Sequence, residues 1–156
     1  MMTPQDVQDA MAAELAALFA DDIAKDQSGT AKAPHIFPQE LPDPPETDSE
    51  PGDRCPYVQI IVGDGENQEG EAATVAVTLI FCICDDDKSK QGHRVILHMI
   101  QLVAERFGKT PLLKPAAIRT GKMEWTLADD QPVPLYFGGM ALTFSIPGFV
   151  KEDPLT

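Results

Sequence analysis

The stretch TVAVTLIFCIC, residues 74–84, runs directly into DDDKSKQGHRVILHMIQLVAERFGK, residues 85–109. In the first segment the side chains alternate with a period of two. Val75, Val77, Leu79, Phe81 and Ile83 share one face, and Ala76, Thr78, Ile80, Cys82 and Cys84 share the other. That alternation is the signature of a β-strand, and two largely apolar faces predict a central strand covered on both sides. In the second segment the period lengthens to 3.6. Ile96, Met99, Ile100, Val103 and Phe107 form the apolar stripe of a helix, while Arg94, His98, Gln101 and Glu105 mark its wet face. Gly108 supplies a C-terminal stop.

Working outward, YVQIIV (57–62) is rich in β-branched residues and reads as a strand joined to the central one by a hairpin, with Asp64-Gly65 as the turn signal. Two strands follow the helix. AIRTGKMEWTL (117–127) places Met123, Trp125 and Leu127 inward, and GMALTFSI (139–146) does the same with Met140, Leu142, Phe144 and Ile146. Opposite those last four stand Gly139, Ala141, Thr143 and Ser145, all small, a face that admits a close second layer, either the N-terminal helix or a neighbouring subunit.

The N-terminal segment TPQDVQDAMAAELAALFADDIAK begins with helix-start chemistry: Thr3 as cap, Pro4 at the first helical position, and Asp6 completing a capping pattern. Val7, Met11, Leu15, Leu18 and Ile23 lie near one face, with Phe19 beside them. Residues 28–56 differ in kind. Seven of the fourteen prolines fall there, at 34, 38, 42, 44, 45, 51 and 56. Proline lacks the backbone donor and fixes φ, so neither a helix nor a central strand can pass through. The segment reads as an extended, mostly solvated arm, anchored by Ile36, Phe37 and Leu41. The expected organisation is one domain: a helix over 1–27, a proline-rich acidic arm over 28–56, an α+β core over 57–150, and a short tail over 151–156. The expected fold class is α+β, with a mostly antiparallel four-stranded sheet packed with two helices.

The net charge of −13 is uneven. Residues 1–54 hold 12 acids and 3 bases, residues 55–156 hold 13 acids and 9 bases. An acidic chain repels phosphate, which disfavours nucleic-acid binding through a basic stripe yet suits a surface past which DNA slides. No apolar run reaches the roughly 20 residues of a membrane span. No Lys or Arg precedes Lys25, so the basic start of a secretory signal is missing and a soluble cytoplasmic protein is expected.

Three cysteines, Cys55, Cys82 and Cys84, make no disulfide framework. Cys82 and Cys84 suit a buried strand, where the thiol behaves as a small hydrophobe. Asp85, Asp86 and Asp87 then end the strand ahead of a helix, whose N-terminal dipole favours acids. A metal would need His93 and His98, which point about 140° apart on a helix. In GDGENQEGE the calcium-loop pattern fails, because Glu69 stands where glycine belongs and Val75 where the bidentate acid belongs. No G-x-S-x-G elbow surrounds any serine. The expectation is a protein without catalysis, cofactor or metal; the rival of another class is a small metal-binding or hydrolytic domain using Cys82, Cys84 and the aspartates.

Four pieces, CPYVQIIVGDGE, VTLIFCICDDDKSKQGHRVILHMIQLV, EWTLADDQPVPLYFGGMALTFSIP and the arm PHIFPQELPDPPE, together resemble bacteriophage and prophage tail proteins of the tail-terminator class, over about residues 34–150. The Q-P-x-P-aromatic motif around Pro132, Pro134 and Tyr136 is the most specific part. Cys55 stands where that pattern has an aromatic, and Gly139 where it has an acid. The resemblance implies a structural subunit of a homo-oligomeric, hexameric ring that caps the tail tube. It would contact tube and neck or head-completion proteins and let DNA pass, in the virion and, during assembly, in the host cytoplasm. A head–tail connector or tail completion protein is the alternative within the same class. Asp85, Asp86, Asp87, Pro132, Pro134 and Tyr136 are the expected interaction residues.

Overall fold

The computed structural model describes residues 2–20, 24–25, 31–40, 56–67, 72–85, 92–128 and 135–147. In chain order the elements are α1 (Pro4–Leu18), β1 (Ala24–Lys25), β2 (Ala31–Lys32), β3 (His35–Pro38), β4 (Tyr57–Glu66), β5 (Ala73–Cys84), α2 (His93–Lys109), β6 (Leu112–Leu113), β7 (Ala117–Leu127) and β8 (Leu135–Ile146). β1 and β2 form a short antiparallel ladder of their own. The other six strands make one sheet in the order β3-β4-β5-β8-β7-β6, curled into a half-barrel.

This corrects the expected four-stranded, mostly antiparallel sheet. The four anticipated strands are present as β4, β5, β7 and β8, and two short ones extend them at the margins. The arm contributes β3, which pairs parallel with β4, so the sheet is mixed. Prolines exclude a central strand but tolerate an edge, and β3 lies at the edge. At the far side β6 covers only Ala117 and Ile118 of β7.

The central strand is β5, paired antiparallel with β4 on one side and over its whole length with β8 on the other. Val75, Val77, Leu79, Phe81 and Ile83 are all buried, as are Met140, Leu142, Phe144 and Ile146 across the ladder. Both helices lie on this face. The stripe Ile96, Met99, Ile100, Val103 and Phe107 of α2 joins Val7, Met11 and Leu15 of α1 in the same core. Phe107 meets Phe144 edge to face, ring centroids 5.5 Å apart. Each such side chain contributes about 1.5–3 kcal/mol on burial. The capping box of α1 forms as expected: Asp6 N–H donates to Thr3 Oγ1 (3.1 Å) and Thr3 N–H to Asp6 Oδ2 (2.8 Å). Arg106 of α2 reaches Glu14 of α1 in an ion pair between the helices.

Local expectations fail in three places. The strand from Tyr57 does not turn at Asp64-Gly65; it continues to Glu66, absorbing one extra residue as a bulge between Val62 and Gly65. Such a bulge bends the strand without ending it. Gly108 lies inside α2, which runs to Lys109 and stops where Thr110 turns extended. Third, β5 is not covered on both sides: Thr78, in its middle, is exposed, and only Cys82 and Cys84 at its end are buried on that second face.

Candidate functional site

With both helices on one face, the second face of β5, β8 and β7 is where the sheet meets its surroundings. The ladders set its residues side by side: Thr78 opposite Ala141, Ile80 opposite Gly139, Thr126 opposite Gly139 and Glu124 opposite Ala141. Thr78, Ala141, Glu124 and Thr126 are exposed, and Gly139, Thr143 and Ser145 half-buried. A shallow groove of about 510 Å³ runs over Thr78, Thr126, Gly139 and Ala141. Of the two layers the small residues could admit, the N-terminal helix is excluded, because α1 packs on the opposite face against β3, β4 and β5. At one end of the same face Tyr57, Cys82 and Cys84 are buried against Phe37, Leu135 and Phe137.

The two sheet margins have different chemistry. At β3, His35 N–H donates to Pro56 O (2.9 Å) and Gln39 N–H to Ile60 O (2.7 Å). Alternation therefore turns the backbone groups of residues 34, 36 and 38 away from the sheet. Two of those three are Pro34 and Pro38, which have no N–H to offer. The strand is then ended by Gln39, whose φ of 70° lies in the left-handed region. Gln39 is held there by its neighbours: its Oε1 accepts from Val62 N–H (3.1 Å) and from Gln8 Nε2 (2.8 Å), and its carbonyl accepts from the Gln59 side chain.

At β7 the arrangement is reversed. Arg119 N–H donates outward to Pro111 O (2.8 Å), whereas Ala128 N–H donates inward to Phe137 O (3.2 Å). The outward groups beyond Arg119 are thus those of Met123, Trp125 and Leu127, and among the described residues no strand pairs with them. Between Thr120 and Glu124 the ladder with β8 is interrupted by a bulge, with Gly121 at φ 67°. Lys122 and Glu124 form an exposed ion pair of 2.7 Å, and the Glu124 carboxylate holds the Lys122 ammonium above its usual pKa.

Trp125 corrects a second expectation. Register places it opposite Met140, on the helix-bearing face as the alternation predicts. It is nevertheless 59% exposed, whereas Met140 is 1% exposed. α2 makes its most extensive contact with β8, and the pairing of β7 with β6 has ended seven residues earlier, at Ile118. Met123 and Leu127 still touch the core; Trp125 between them does not join it.

Of the expected interaction residues, Asp85 follows β5 and is half-buried. Asp86, Asp87, Pro132 and Pro134 lie outside the described residues. Tyr136 is not on the surface. It is 3% exposed on β8, its ring so close to Gly92 that a Cβ there would stand 2.4 Å from it, and its hydroxyl is buried with no hydrogen-bond partner among the described residues. Gly138 receives Ile96 in the same way, at 2.4 Å from where a Cβ would be. Glycines at 92 and 138 thus let the start of α2 sit directly on β8. Cys82 and Cys84 are buried thiols, and no group of three or more His, Cys, Asp or Glu converges among the described residues. No described helix is long and apolar enough to cross a membrane.

No family model matches the chain, and no curated protein matches it.

Proposed function

We propose that this chain is a structural subunit of a bacteriophage or prophage tail, a ring-forming tail terminator that caps the tube, meets neck or head-completion proteins, and lets DNA pass. The observation that carries the reading is the one-sided layering. Both helices cover one sheet face, and among the described residues the centre of the other is left to Thr78, Gly139, Ala141 and Thr143, side chains short enough for a neighbour's backbone to approach. A surface of that kind suits a repeated contact between copies better than a pocket for a substrate. The acidity of the chain, net −13, fits a lumen that does not hold DNA.

The surface is tested by replacing Thr78 and Ala141 with arginine together. Both point away from the core, so the variant keeps its helical and sheet circular dichroism while losing any ring seen by light scattering and electron microscopy. A wild-type chain that stays monomeric both alone and with purified tail tubes would sink the reading. Gene deletion assigns the role: tails of uncontrolled length mark a terminator, whereas tails of normal length that never join heads mark a connector or completion protein.

A further inference from the structure

We infer that the β7 edge is a self-pairing site, at which residues 123–127 of two copies join antiparallel about a two-fold axis through Trp125. The inference stands apart from the ring reading, because it uses the backbone of the sheet margin and makes no use of Thr78, Gly139, Ala141 or Thr143.

Four observations lead to it. First, the outward backbone groups of Met123, Trp125 and Leu127 are those that β8 does not use, since the inward donors belong to the even-numbered residues up to Ala128. A row of unpaired donors and acceptors is a template for another strand. Second, the pairing has a natural centre. An antiparallel two-fold contact must place a residue with outward groups opposite itself. The bulge between Thr120 and Glu124 ends the regular ladder on one side, and of the three outward residues Met123, Trp125 and Leu127 the middle one is Trp125.

Third, this register matches side chains to like side chains. Trp125 faces Trp125 of the second copy, and Met123 faces Leu127, all on the helix-bearing side, while Glu124 faces Thr126 on the other. The indole is 59% exposed in the single chain, beside Met123 and Leu127, which are already half-buried against the core. Aromatic cross-strand pairs are among the stabilising ones in sheets. Fourth, charge permits the approach. The chain as a whole carries −13, but between Arg119 and Leu127 there are two bases, Arg119 and Lys122, against one acid, Glu124. This edge therefore carries none of the net negative charge of the chain. The β3 edge is no competitor as partner, because Pro34 and Pro38 remove donors from two of its three outward positions.

So short a contact makes a weak dimer, of the kind populated as concentration rises. The test is sedimentation equilibrium of the full chain over a wide concentration range, with amide hydrogen exchange read residue by residue at both ends of it. Expected is a monomer–dimer equilibrium in which the amides of Trp125 and Leu127 gain protection at high concentration while that of Ile36 does not. Trp125→Lys sets two ammonium groups across the axis and should weaken the dimer about tenfold or more, as loss of a central aromatic does at interfaces. Trp125→Phe should largely restore it, and unchanged circular dichroism certifies that both variants fold. A monomer at every concentration overturns the proposal. So does a larger oligomer in which the β7 amides exchange freely and Trp125→Lys changes nothing, an outcome that would leave the bare-face ring standing.

Discussion

The two edges of this sheet solve one problem in opposite ways. At β3 the outward positions are occupied by Pro34, Ile36 and Pro38, and the strand stops after four residues at the left-handed Gln39. At β7 the strand runs for eleven residues, its partner β6 covers two, and an indole stands at the middle of the uncovered part. An edge is therefore closed by what its residues lack, a backbone proton, and opened by what its neighbour fails to cover. Exposure at this margin follows from the length of the next strand and not from the polarity of the strand itself, since MEWTL reads as inward-facing.

The largest contrast is expected from truncating one aromatic on each strand of the β7–β8 ladder. Phe144→Ala removes a fully buried ring and should cost about 3–5 kcal/mol in denaturant unfolding. Trp125→Ala should cost less than about 1 kcal/mol, as surface changes do. Equal losses would mean that β7 is not an open edge. Next in size, Gly138→Ala forces a methyl against Ile96 and the carbonyl of Thr126 (3.3 Å), an overpacking that should cost about 1–3 kcal/mol by the same measurement. A neutral result would show that α2 can lift from β8 near the open edge.

At the closed edge, Gln39→Ala deletes two side-chain hydrogen bonds and keeps the unfavourable backbone, for a loss of about 1–2 kcal/mol. Pro38→Val should leave stability within about 0.5 kcal/mol but return an outward N–H, so that light scattering reports more self-association than wild type. If it does not, proline is not what closes β3. The smallest effect concerns α1, which rests on β3 and β4. The backbone N–H of Thr3, followed by its hydroxyl, holds the Asp6 carboxyl below its usual pKa. A depressed carboxyl stabilises the fold above its unfolded value and ceases to do so as pH falls through its folded value. The stability gap between wild type and Asp6→Asn should accordingly narrow in acid and stay constant near neutrality.

Periodicity made the interior readable. The stripe of α2 and the helix-side alternation of β5 and β8 (Val75 to Ile83, Met140 to Ile146) are buried as read, because a core of this size rewards one face and penalises the other; the second face of β5, read as covered, is exposed at Thr78. Margins obey different physics. That His35–Pro38 is a parallel edge strand depends on where the arm returns, which local propensity does not encode. The prolines at 34 and 38, four residues apart, were the available signal: with Ile36 they place both missing donors on the same side of an extended chain. Trp125 misled for a related reason, since register put it on the right face and only the shortness of β6 left it bare. In the candidate surface, the small residues of β8 were legible, but that no described helix covers them was not, because it depends on α1 choosing the other side. Tyr136 looked like a contact residue through its motif; the glycine at 92 lets its ring serve as a seat for the start of α2.

The β5–β8 ladder joins Ala73 to Ile146 and binds the two middle strands of the sheet along their full length. Its partners are separated in sequence by α2, β6 and β7, so on the ribosome β5 can meet β4, β3 and α1 but must wait with its other edge unpaired until β8 has been synthesised. Closing a loop that long before any contact repays it makes folding slow. A nascent chain arrested before Leu135 should therefore be the species most in need of a chaperone.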